Sequence, residues 1–343
     1  MTDDATSTSR RLWLPAWLRR DRRSGSERSR APIVTLTPSP SIDIGWEVEN
    51  LSSTGKSRAT TRQVTAGGGG INVARVVRLL GGSATAVHTA GGALGLWLRE
   101  LLDEEDLVAR AVEVRSQTRL AVVLTDMSTD ERHHIVPESP HLSPEEIDSL
   151  IEAVAAEMGE GTCVVLSGSP PSGAEDDFSA RLAASALGCG ARLFLDTSGA
   201  GVQRSTSDGV YLLKSNRREA TSITGVEVND FDDARTANER LLDDGVAEVV
   251  VTTIGEFGSL CSTGDGHVEI HTPRLPRPAV TDAGAGDSLM AGLVFGISRG
   301  DDVVEACRLG VAAAAAAVIT PETSPASREE IESLEQDVQA SWR

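Results

Sequence analysis

Short runs of β-branched and apolar residues alternate along most of the chain with segments whose apolar residues recur at helical spacing. Such alternation is typical of an α/β fold, in which mainly parallel strands are joined by right-handed crossover helices. The pattern predicts strands at residues 33–37, 84–89, 163–166, 192–195, 210–213 and 248–252. It predicts helices at residues 71–80, 94–103, 143–158, 176–187 and 232–242, followed by a mostly helical last third.

Two stretches, residues 46–64 and 108–135, interrupt this alternation. Both are richer in strand patterns than in helix patterns, so neither is expected to continue the strand–helix repeat. We expect their strands, which lie within residues 43–66 and 108–136, to pair as a small second sheet that projects from the main one.

The first 30 residues differ in composition from the rest, with eight arginines against four acidic residues. We expect residues 1–30 to form a disordered basic extension, and residues 31–343 to form the folded domain. Trp13 and Trp17 lie among the arginines, so an alternative is that this extension anchors the protein at a surface.

Composition narrows the class of protein. The 343 residues are 40 % hydrophobic, enough to fill a sizeable core, and carry a net charge of −19, which repels nucleic acids and anionic lipids. The four cysteines lie far apart without a C-x-x-C pair, which fits a reducing compartment. The longest apolar run, residues 309–319, is too short to span a bilayer. We therefore expect a cytoplasmic protein with no membrane span and no nucleic-acid partner, which binds anions in a local positive pocket.

The segment T-D-A-G-A-G-D, residues 281–287, opens a long apolar helix. Gly284 and Gly286 allow the backbone to approach a ligand closely, and the free N–H groups of a helix start form an anion site. Asp287 beside such a site is suited to take a proton from an attacking hydroxyl. Its alternative role is to cap the helix.

Four consecutive glycines, residues 67–70, precede Ile71 and Asn72. Such a run costs conformational entropy and adds no core contacts, so a ligand that fits closely against the backbone is the favoured explanation. The alternative is a flexible turn before a helix.

Lysine is rare here: among 32 basic residues only Lys56 and Lys214 are lysines. A lysine kept where arginine is so strongly favoured suggests a site that needs a compact ammonium group. Lys214 directly follows a predicted strand, and Asn216 and Glu219 lie one helical turn apart on one face. That pair suits Mg²⁺ with its water shell, and it equally fits a helix cap.

Four motifs in this order carry a resemblance to a known family. They are residues 67–75 (GGGGINVAR), 167–171 (SGSPP), 214–219 (K-x-N-x-x-E) and 284–287 (GAGD). From about residue 32 to 320 the chain resembles the ribokinase (PfkB) family of ATP-dependent sugar kinases. The resemblance implies a ribokinase-like, doubly wound α/β domain with a mainly parallel sheet, and a small β-sheet lid through which such proteins often form homodimers.

The resemblance also implies a nucleotide half of the site. Asp287 matches the general base, and the amides of Gly284, Ala285 and Gly286 match the anion hole for the transferred phosphoryl group. Asn216 and Glu219 match the residues that organise Mg²⁺ through water. The matching ATP ligands are Lys214, Thr253, Gly255, Gly258 and Gly286. A monovalent cation such as K⁺ is common nearby in the family, and its matching carbonyls are those of Thr281, Ala283 and Thr320.

A sugar half follows from the same resemblance. The residues that match sugar ligands are Asp43, Gly68, Gly69, Asn72 and Ser167, and the basic residues expected near a sugar phosphate are Lys56, Arg58 and Arg119. Three features depart from the family pattern. Ser215 replaces a proline, His133 stands where a phosphate-binding arginine is expected, and Glu138 lies close to the expected phosphate pocket.

The GGGGIN version of the glycine motif favours transfer of the ATP γ-phosphate to the 1-hydroxyl of fructose 6-phosphate. Related members that act on fructose 1-phosphate or tagatose 6-phosphate often carry a lysine in that run, and those two substrates are the alternatives within the class. The alternative outside the class is a non-catalytic regulator that binds nucleotide or sugar. Its expected mark, loss of Asp287 or of the Asn216–Glu219 pair, is absent from the sequence.

Overall fold

The computed structural model describes residues 30–174, 177–197, 202, 209–320 and 326–342, so the basic extension expected at residues 1–30 lies almost wholly outside the described residues. Within this part, ten strands form the main sheet: β1 (Ile33–Thr37), β4 (Thr85–Ala90), β5 (Val108–Glu113), β8 (Cys163–Ser167), β9 (Arg192–Asp196), β10 (Val210–Asn216), β11 (Val249–Thr253), β12 (Gly258–Thr263), β13 (Gly266–His271) and β14 (Gln339–Trp342). Their order is β14-β13-β12-β11-β10-β9-β8-β1-β4-β5. The strands from β11 through β5 in that order run parallel, as predicted.

The helices of the described residues are α1 (Gly69–Leu79), α2 (Gly92–Glu104), α3 (Pro144–Ala155), α4 (Phe178–Gly188), α5 (Arg217–Thr224), α6 (Phe231–Asp243), α7 (Ala285–Ser298), α8 (Val303–Val318) and α9 (Arg328–Asp337). Helices α1, α7, α8 and α9 pack on one face of the main sheet, and α3 and α4 pack on the other. Because both faces are covered, the central strands are buried on both sides, and the doubly wound α/β prediction is confirmed.

A second sheet of four strands forms the lid: β2 (Ser41–Val48), β3 (Ala59–Gly67), β6 (Arg119–Asp126) and β7 (Glu131–Ile135), in the order β3-β2-β6-β7. Its apolar face packs on α2, where Ile42 and Ala66 meet the buried Leu98 and Leu102. One part of the prediction is wrong: β5 lies in the stretch assigned to the lid but pairs with β4 in the main sheet. It forms the outer edge there, and none of its six residues is buried, as in the lid strand β7.

The C-terminal third contains three strands that the sequence pattern does not predict. Strands β12, β13 and β14 extend the main sheet with antiparallel pairs beyond β11. Strand β12 is buried along almost its whole length, so it lacks the alternation that marks a half-buried strand. The long apolar run predicted to be too short for a bilayer forms most of α8, buried against α7. None of the described helices combines the length and apolar character that a membrane-spanning segment requires.

Candidate active site

Polar residues end several neighbouring parallel strands on one edge of the main sheet. Ser167 is the last residue of β8, Asp196 is the last residue of β9 and pairs with it in register, and Asn216 ends β10. Helices α1 and α7 begin at the same edge. Ligands of open α/β sheets bind outside the carboxyl ends of the strands, and here that edge holds a cavity of about 290 Å³. Its lining residues are Ser167, Gly168, Ser169, Asp196, Lys214, Glu219, Gly284, Gly286 and Asp287.

The Asp287 side chain is held by two donors from distant parts of the chain. The Asn72 amide of α1 donates to Oδ2 at 2.8 Å, and the Ser167 hydroxyl donates to Oδ1 at 3.1 Å. The cap position of α7 belongs to Gly284, which has a left-handed backbone with φ of 74°. The alternative that Asp287 caps this helix therefore does not describe the structure. Its carboxylate is instead presented to the cavity.

The surroundings of Asp287 change its acidity. Burial raises the pKa of this carboxyl, and the negative charge of Asp196 raises it further. Hydrogen bonds from Asn72 and Ser167 and the charge of Lys214 act in the opposite direction, and the resulting pKa is about 6. A carboxyl group with this pKa is mostly ionised at neutral pH and still basic enough to accept a proton.

Lys214 places a buried positive charge in the cavity. Its side chain is 7 % exposed, and Nζ donates to Asp196 Oδ1 at 2.8 Å. Burial by itself lowers the pKa of Lys214, but the Asp196 carboxylate outweighs this effect, so the pKa of Lys214 is raised and the ammonium stays charged. Asp196 was not predicted from the sequence. The signal that could have found it is a polar residue at the end of a buried strand, the same signal that Ser167 gives.

The start of α7 provides N–H groups for an anion. The first N–H groups of a helix have no partner within the helix, and the Ala285 N–H makes only a long bond of 3.4 Å to the Asp282 carbonyl. Gly286 allows Lys214 to lie against this backbone, because a Cβ at residue 286 would be 2.7 Å from Lys214 Nζ. The helix start and the Lys214 ammonium group therefore lie side by side in the cavity lining and together offer positive charge to an anion.

Asn216 and Glu219 hold each other at the start of α5. The Asn216 side chain accepts from the Glu219 N–H at 3.0 Å, and the Glu219 carboxylate accepts from the Asn216 N–H at 2.8 Å. The capping alternative is therefore confirmed, although Glu219 also lines the cavity. No group of three His, Cys, Asp or Glu residues that could hold a metal lies in the described part of the chain. The donors fit Mg²⁺ bound mainly through phosphate and water, which needs only one or two carboxylates.

Glycines bring the lid and the main sheet together beside the cavity. A Cβ at Gly67 would be 2.1 Å from Asp43 Oδ2, and one at Gly69 would be 2.3 Å from Ser167 Oγ. Gly68, with φ of 123°, leaves no room for a side chain against Thr37. Asp43 is partly buried and accepts from Ser41 at 2.6 Å, and burial raises its pKa. Close approaches of protein atoms account for the glycine run, so it is not the flexible turn of the alternative. The expectation that the run adds no packing contacts is wrong, and its fit to a ligand stays a prediction.

Arg119 ties the lid to the neighbouring loops. Its guanidinium donates to the Ser39 carbonyl at 2.5 Å and to the Pro137 carbonyl at 3.1 Å, next to Glu138. Its Nε is buried and has no hydrogen-bond partner in the described part of the chain.

The family assignment follows from comparison with known proteins. The model of the family described as "pfkB family carbohydrate kinase" matches residues 39–330. The chain belongs to the pfkB family. Similar proteins of this family include the ATP-dependent 6-phosphofructokinase isozyme 2 of Mycobacterium tuberculosis, 36 % identical over 88 % of both chains. The isozyme 2 of Escherichia coli is 32 % identical over 88 % of this chain and 97 % of its own. The 1-phosphofructokinase of Bacillus subtilis is 31 % identical over 84 % and 93 %.

Solved structures of pfkB-family enzymes have the same fold. Phosphofructokinase-2 from Escherichia coli in complex with potassium has a TM-score of 0.84 and 31 % identity, and covers 89 % of this chain and 98 % of its own. The same enzyme in complex with fructose-6-phosphate has a TM-score of 0.82, with 31 % identity and the same coverage. Its tetrameric inhibited form also has a TM-score of 0.82, with 30 % identity and that coverage. The predicted ribokinase-like fold is thereby confirmed.

Several residues matched to the pfkB family lie outside the cavity lining. Lys56 and Arg58 are exposed on the loop between β2 and β3, and His133 and Glu138 are exposed on and after β7. Thr253 lies beside Asn216 in the β10–β11 register, and the loop that follows it contains Gly255 and Gly258. Gly258 also has a packing role, because a Cβ there would be 2.0 Å from the Ile270 carbonyl.

The carbonyls matched to a monovalent cation lie where the segment before α7 meets the end of α8. The N–H groups of Val280 and Thr281 donate to the Val318 carbonyl, at 2.7 and 3.3 Å. Thr320 is buried and follows α8, whereas Ala283 is exposed. Residues 321–325 lie outside the described part of the chain, so the cation site stays a prediction.

Proposed function

We propose that the protein transfers the γ-phosphoryl group of ATP to the 1-hydroxyl of fructose 6-phosphate, which gives fructose 1,6-bisphosphate and ADP. One observation carries the proposal: the Asp287 carboxylate faces a cavity in which Lys214 and the start of α7 offer positive charge. A proton acceptor beside a phosphate-sized anion site is the arrangement that phosphoryl transfer to a hydroxyl requires.

The proposed step begins with the sugar hydroxyl next to Asp287. The hydroxyl oxygen forms a bond to the γ-phosphorus, the bond between that phosphorus and the bridging oxygen of ADP breaks, and the hydroxyl proton passes to the Asp287 carboxylate. The donors Asn72 and Ser167 keep both carboxylate oxygens in place before the proton arrives. Little covalent chemistry remains for the protein, so orientation and charge carry most of the catalysis.

Charge on the transferred group is balanced by the chain itself. The amides of Gly284, Ala285 and Gly286 act as the anion hole, and Lys214 contacts the nucleotide phosphates as a compact cation. Asn216 and Glu219 would hold Mg²⁺ through its water shell, and the ion would neutralise part of the phosphate charge. The loop at Thr253, Gly255 and Gly258, which follows β11, is the proposed ATP cradle.

The sugar is proposed to lie between the glycine run and the lid. Asp43 and Asn72 bind its hydroxyls, and Arg119 binds its phosphate, helped by Lys56 and Arg58 from the lid loop. A second candidate is a kinase of fructose 1-phosphate or tagatose 6-phosphate. It is favoured by His133, which stands where a phosphate-binding arginine is expected, and by Glu138, which lies close to the expected phosphate pocket. The similarity to a 1-phosphofructokinase also favours it.

We further propose a cytoplasmic homodimer formed through the lid and activated by K⁺. Apolar side chains on the lid support the interface: Met127, Ile135 and Val136 are 57 %, 57 % and 61 % exposed. Light scattering of the purified protein tests the dimer, and Ile135→Glu should yield monomers.

Replacement of K⁺ by Na⁺ or by a tetraalkylammonium ion tests the proposed activation by K⁺.

The substrate is tested by ADP release from Mg-ATP with a panel of fructose 6-phosphate, fructose 1-phosphate, tagatose 6-phosphate, fructose and ribose. Turnover led by fructose 6-phosphate supports the proposal, and turnover led by either of the other two sugar phosphates replaces it with the second candidate. Turnover led by a free sugar contradicts the phosphate pocket. No turnover from protein that binds ATP would favour the regulator.

A further inference from the structure

A line of hydrogen bonds leads from Asp287 to the end of α2. Asn72 donates to Asp287 through Nδ2, and its Oδ1 accepts from Arg75 Nη1 at 2.7 Å. Arg75 in turn forms a bidentate salt bridge with Glu105: Nε donates to Oε2 at 2.6 Å, and Nη2 donates to Oε1 at 2.9 Å. Nη2 also donates to the carbonyl of Ala66 in β3, at 2.8 Å. One arginine therefore connects α1, α2, the lid and the Asp287 partner.

The chemistry of this line fixes the direction of the Asn72 amide. An amide has an accepting oxygen and a donating NH₂ group, and a guanidinium group can only donate. Arg75 therefore holds the oxygen on its own side and turns the NH₂ group toward Asp287. Without Arg75, the amide could rotate and place its oxygen against the carboxylate, an arrangement that repels it.

We propose that Arg75, held by Glu105, is a positioning residue for phosphoryl transfer, which acts through Asn72 on the Asp287 carboxylate. The inference rests on the proposed role of Asp287 as the proton acceptor. Arg75 does not line the cavity and is not among the residues that the glycine motif assigns to the sugar. The Arg75 and Glu105 side chains are 28 % and 27 % exposed, so solvent competes only partly for their paired hydrogen bonds.

The chain offers a matched control one turn further along α1. Arg78 also contacts the end of α2, where it donates to the Glu105 carbonyl and pairs with Asp106 at 3.4 Å. It has no contact with Asn72 among its described hydrogen bonds. Replacing Arg78 therefore removes a cation and a contact between α1 and α2 while it leaves the line to Asp287 intact.

The test is the steady-state kcat of Arg75→Met and Arg78→Met, each made in the wild-type protein and in Asn72→Ala. We expect Arg75→Met to lower kcat by roughly 10- to 100-fold, the size of a misplaced catalytic group. The KM for ATP should stay within about twofold, because neither Arg75 nor Asn72 lines the cavity. In the Asn72→Ala protein the same substitution should lower kcat by less than about threefold, because residues that act through one another are not additive.

Two further variants keep the result interpretable if Arg75→Met folds poorly. Glu105→Gln preserves the shape of the pair and removes its charge, so we expect a smaller loss of kcat with an unchanged melting temperature. Arg75→Lys keeps the positive charge but lacks the paired N–H donors of the guanidinium group, so it should retain only part of the wild-type kcat. An equal loss from Arg75→Met in both backgrounds, or an equal loss from Arg78→Met, would overturn the positioning role.

Failure of this inference can be separated from failure of the proposed function. If Asp287→Asn keeps a near-normal kcat, the proposed proton acceptor is wrong, and the positioning role falls with it. If Asp287→Asn loses activity while Arg75→Met behaves like Arg78→Met, the proton acceptor stands and only the positioning role is wrong.

Discussion

The two sides of the cavity differ in how firmly the chain holds its charged groups. On the main-sheet side, Asp287 and Lys214 are held by hydrogen bonds or ion pairs from β8, β9 and α1. On the lid side, Arg119 is held by the Ser39 and Pro137 carbonyls, whereas Lys56 and Arg58 are exposed on a loop outside the cavity lining. Groups whose neighbours fix them are suited to bond-making steps, whereas exposed groups adapt to a ligand. Under the proposed function, we expect the transfer chemistry to reside in the main sheet and the choice of sugar phosphate in the lid.

The largest loss of kcat is expected from a substitution on the main-sheet side of the cavity. Asp287→Asn removes the proposed proton acceptor and keeps the size of the side chain, so kcat should fall roughly 10²–10⁴-fold. Binding of ATP, measured by calorimetry, should change little, because Lys214 and the α7 amides remain. Ser169→Ala, which alters a cavity-lining residue without a described bond to Asp287, serves as the control and should retain most of the activity.

The next effect tests whether close packing holds the main-sheet side in place. In Gly69→Ala the new methyl group would lie 2.3 Å from Ser167 Oγ and 2.9 Å from its backbone carbon, so Ser167 must move away from Asp287. A displacement of this size should lower kcat by about 10²-fold. Gly188→Ala adds a methyl group into open space and should leave kcat unchanged. Equal activities of the two variants would show that this approach is not needed.

A smaller effect is expected in the pH profile. Asp287 accepts a proton only when it is ionised, so kcat/KM should fall as the pH drops through about 6, the pKa of this carboxyl. Lys214 lowers that pKa, and its removal in Lys214→Met should therefore move the acid limb to higher pH. Lys56→Met removes an exposed lysine and should leave the limb where it is. A limb that moves downward in Lys214→Met would contradict the assignment.

The smallest effects are expected on the lid. Lys56→Met and Arg58→Met should each raise the KM for the sugar phosphate by up to about fivefold, the usual weight of an exposed charge pair, with kcat nearly unchanged. Arg62→Met is a suitable comparison, because Arg62 is an exposed lid residue already paired with Glu47 at 2.5 Å. A loss of kcat from Lys56→Met or Arg58→Met as large as that from Gly69→Ala would place transfer chemistry in the lid and reverse the comparison.

The local sequence predicts those parts of the fold in which apolar residues recur at a regular spacing. The parallel strands and most crossover helices lie within a few residues of their predicted positions, because buried strands and amphipathic helices differ in the spacing of apolar residues. The local pattern does not assign β5 to the correct sheet, because it does not specify which strand an edge strand pairs with. Strands β12 to β14 were missed because their partners are set by tertiary contacts rather than by a local pattern.

The candidate site was predictable only where one short segment contains its residues. Asp287 and Lys214 stand next to glycines or a strand end that mark them in the sequence. Asp196 has only the weak signal of a polar residue at the end of a buried strand, and its pairing with Lys214 appears only when β9 is placed beside β10. The link from Arg75 to Asp287 spans more than 200 positions and is created entirely by the packing of α1 against α7. No spacing rule along the chain contains such information.

The central claim is that this cavity moves a phosphoryl group onto a sugar hydroxyl with Asp287 as the proton acceptor. Phosphorus NMR of the protein with Mg-ATP and fructose 6-phosphate follows that group directly. The account predicts that the γ-phosphate signal of ATP is replaced by ADP and a new sugar monoester, and that Asp287→Asn at equal concentration forms the ester at least about 10²-fold more slowly. Release of inorganic phosphate in place of the ester, or equal rates for the two proteins, would contradict it.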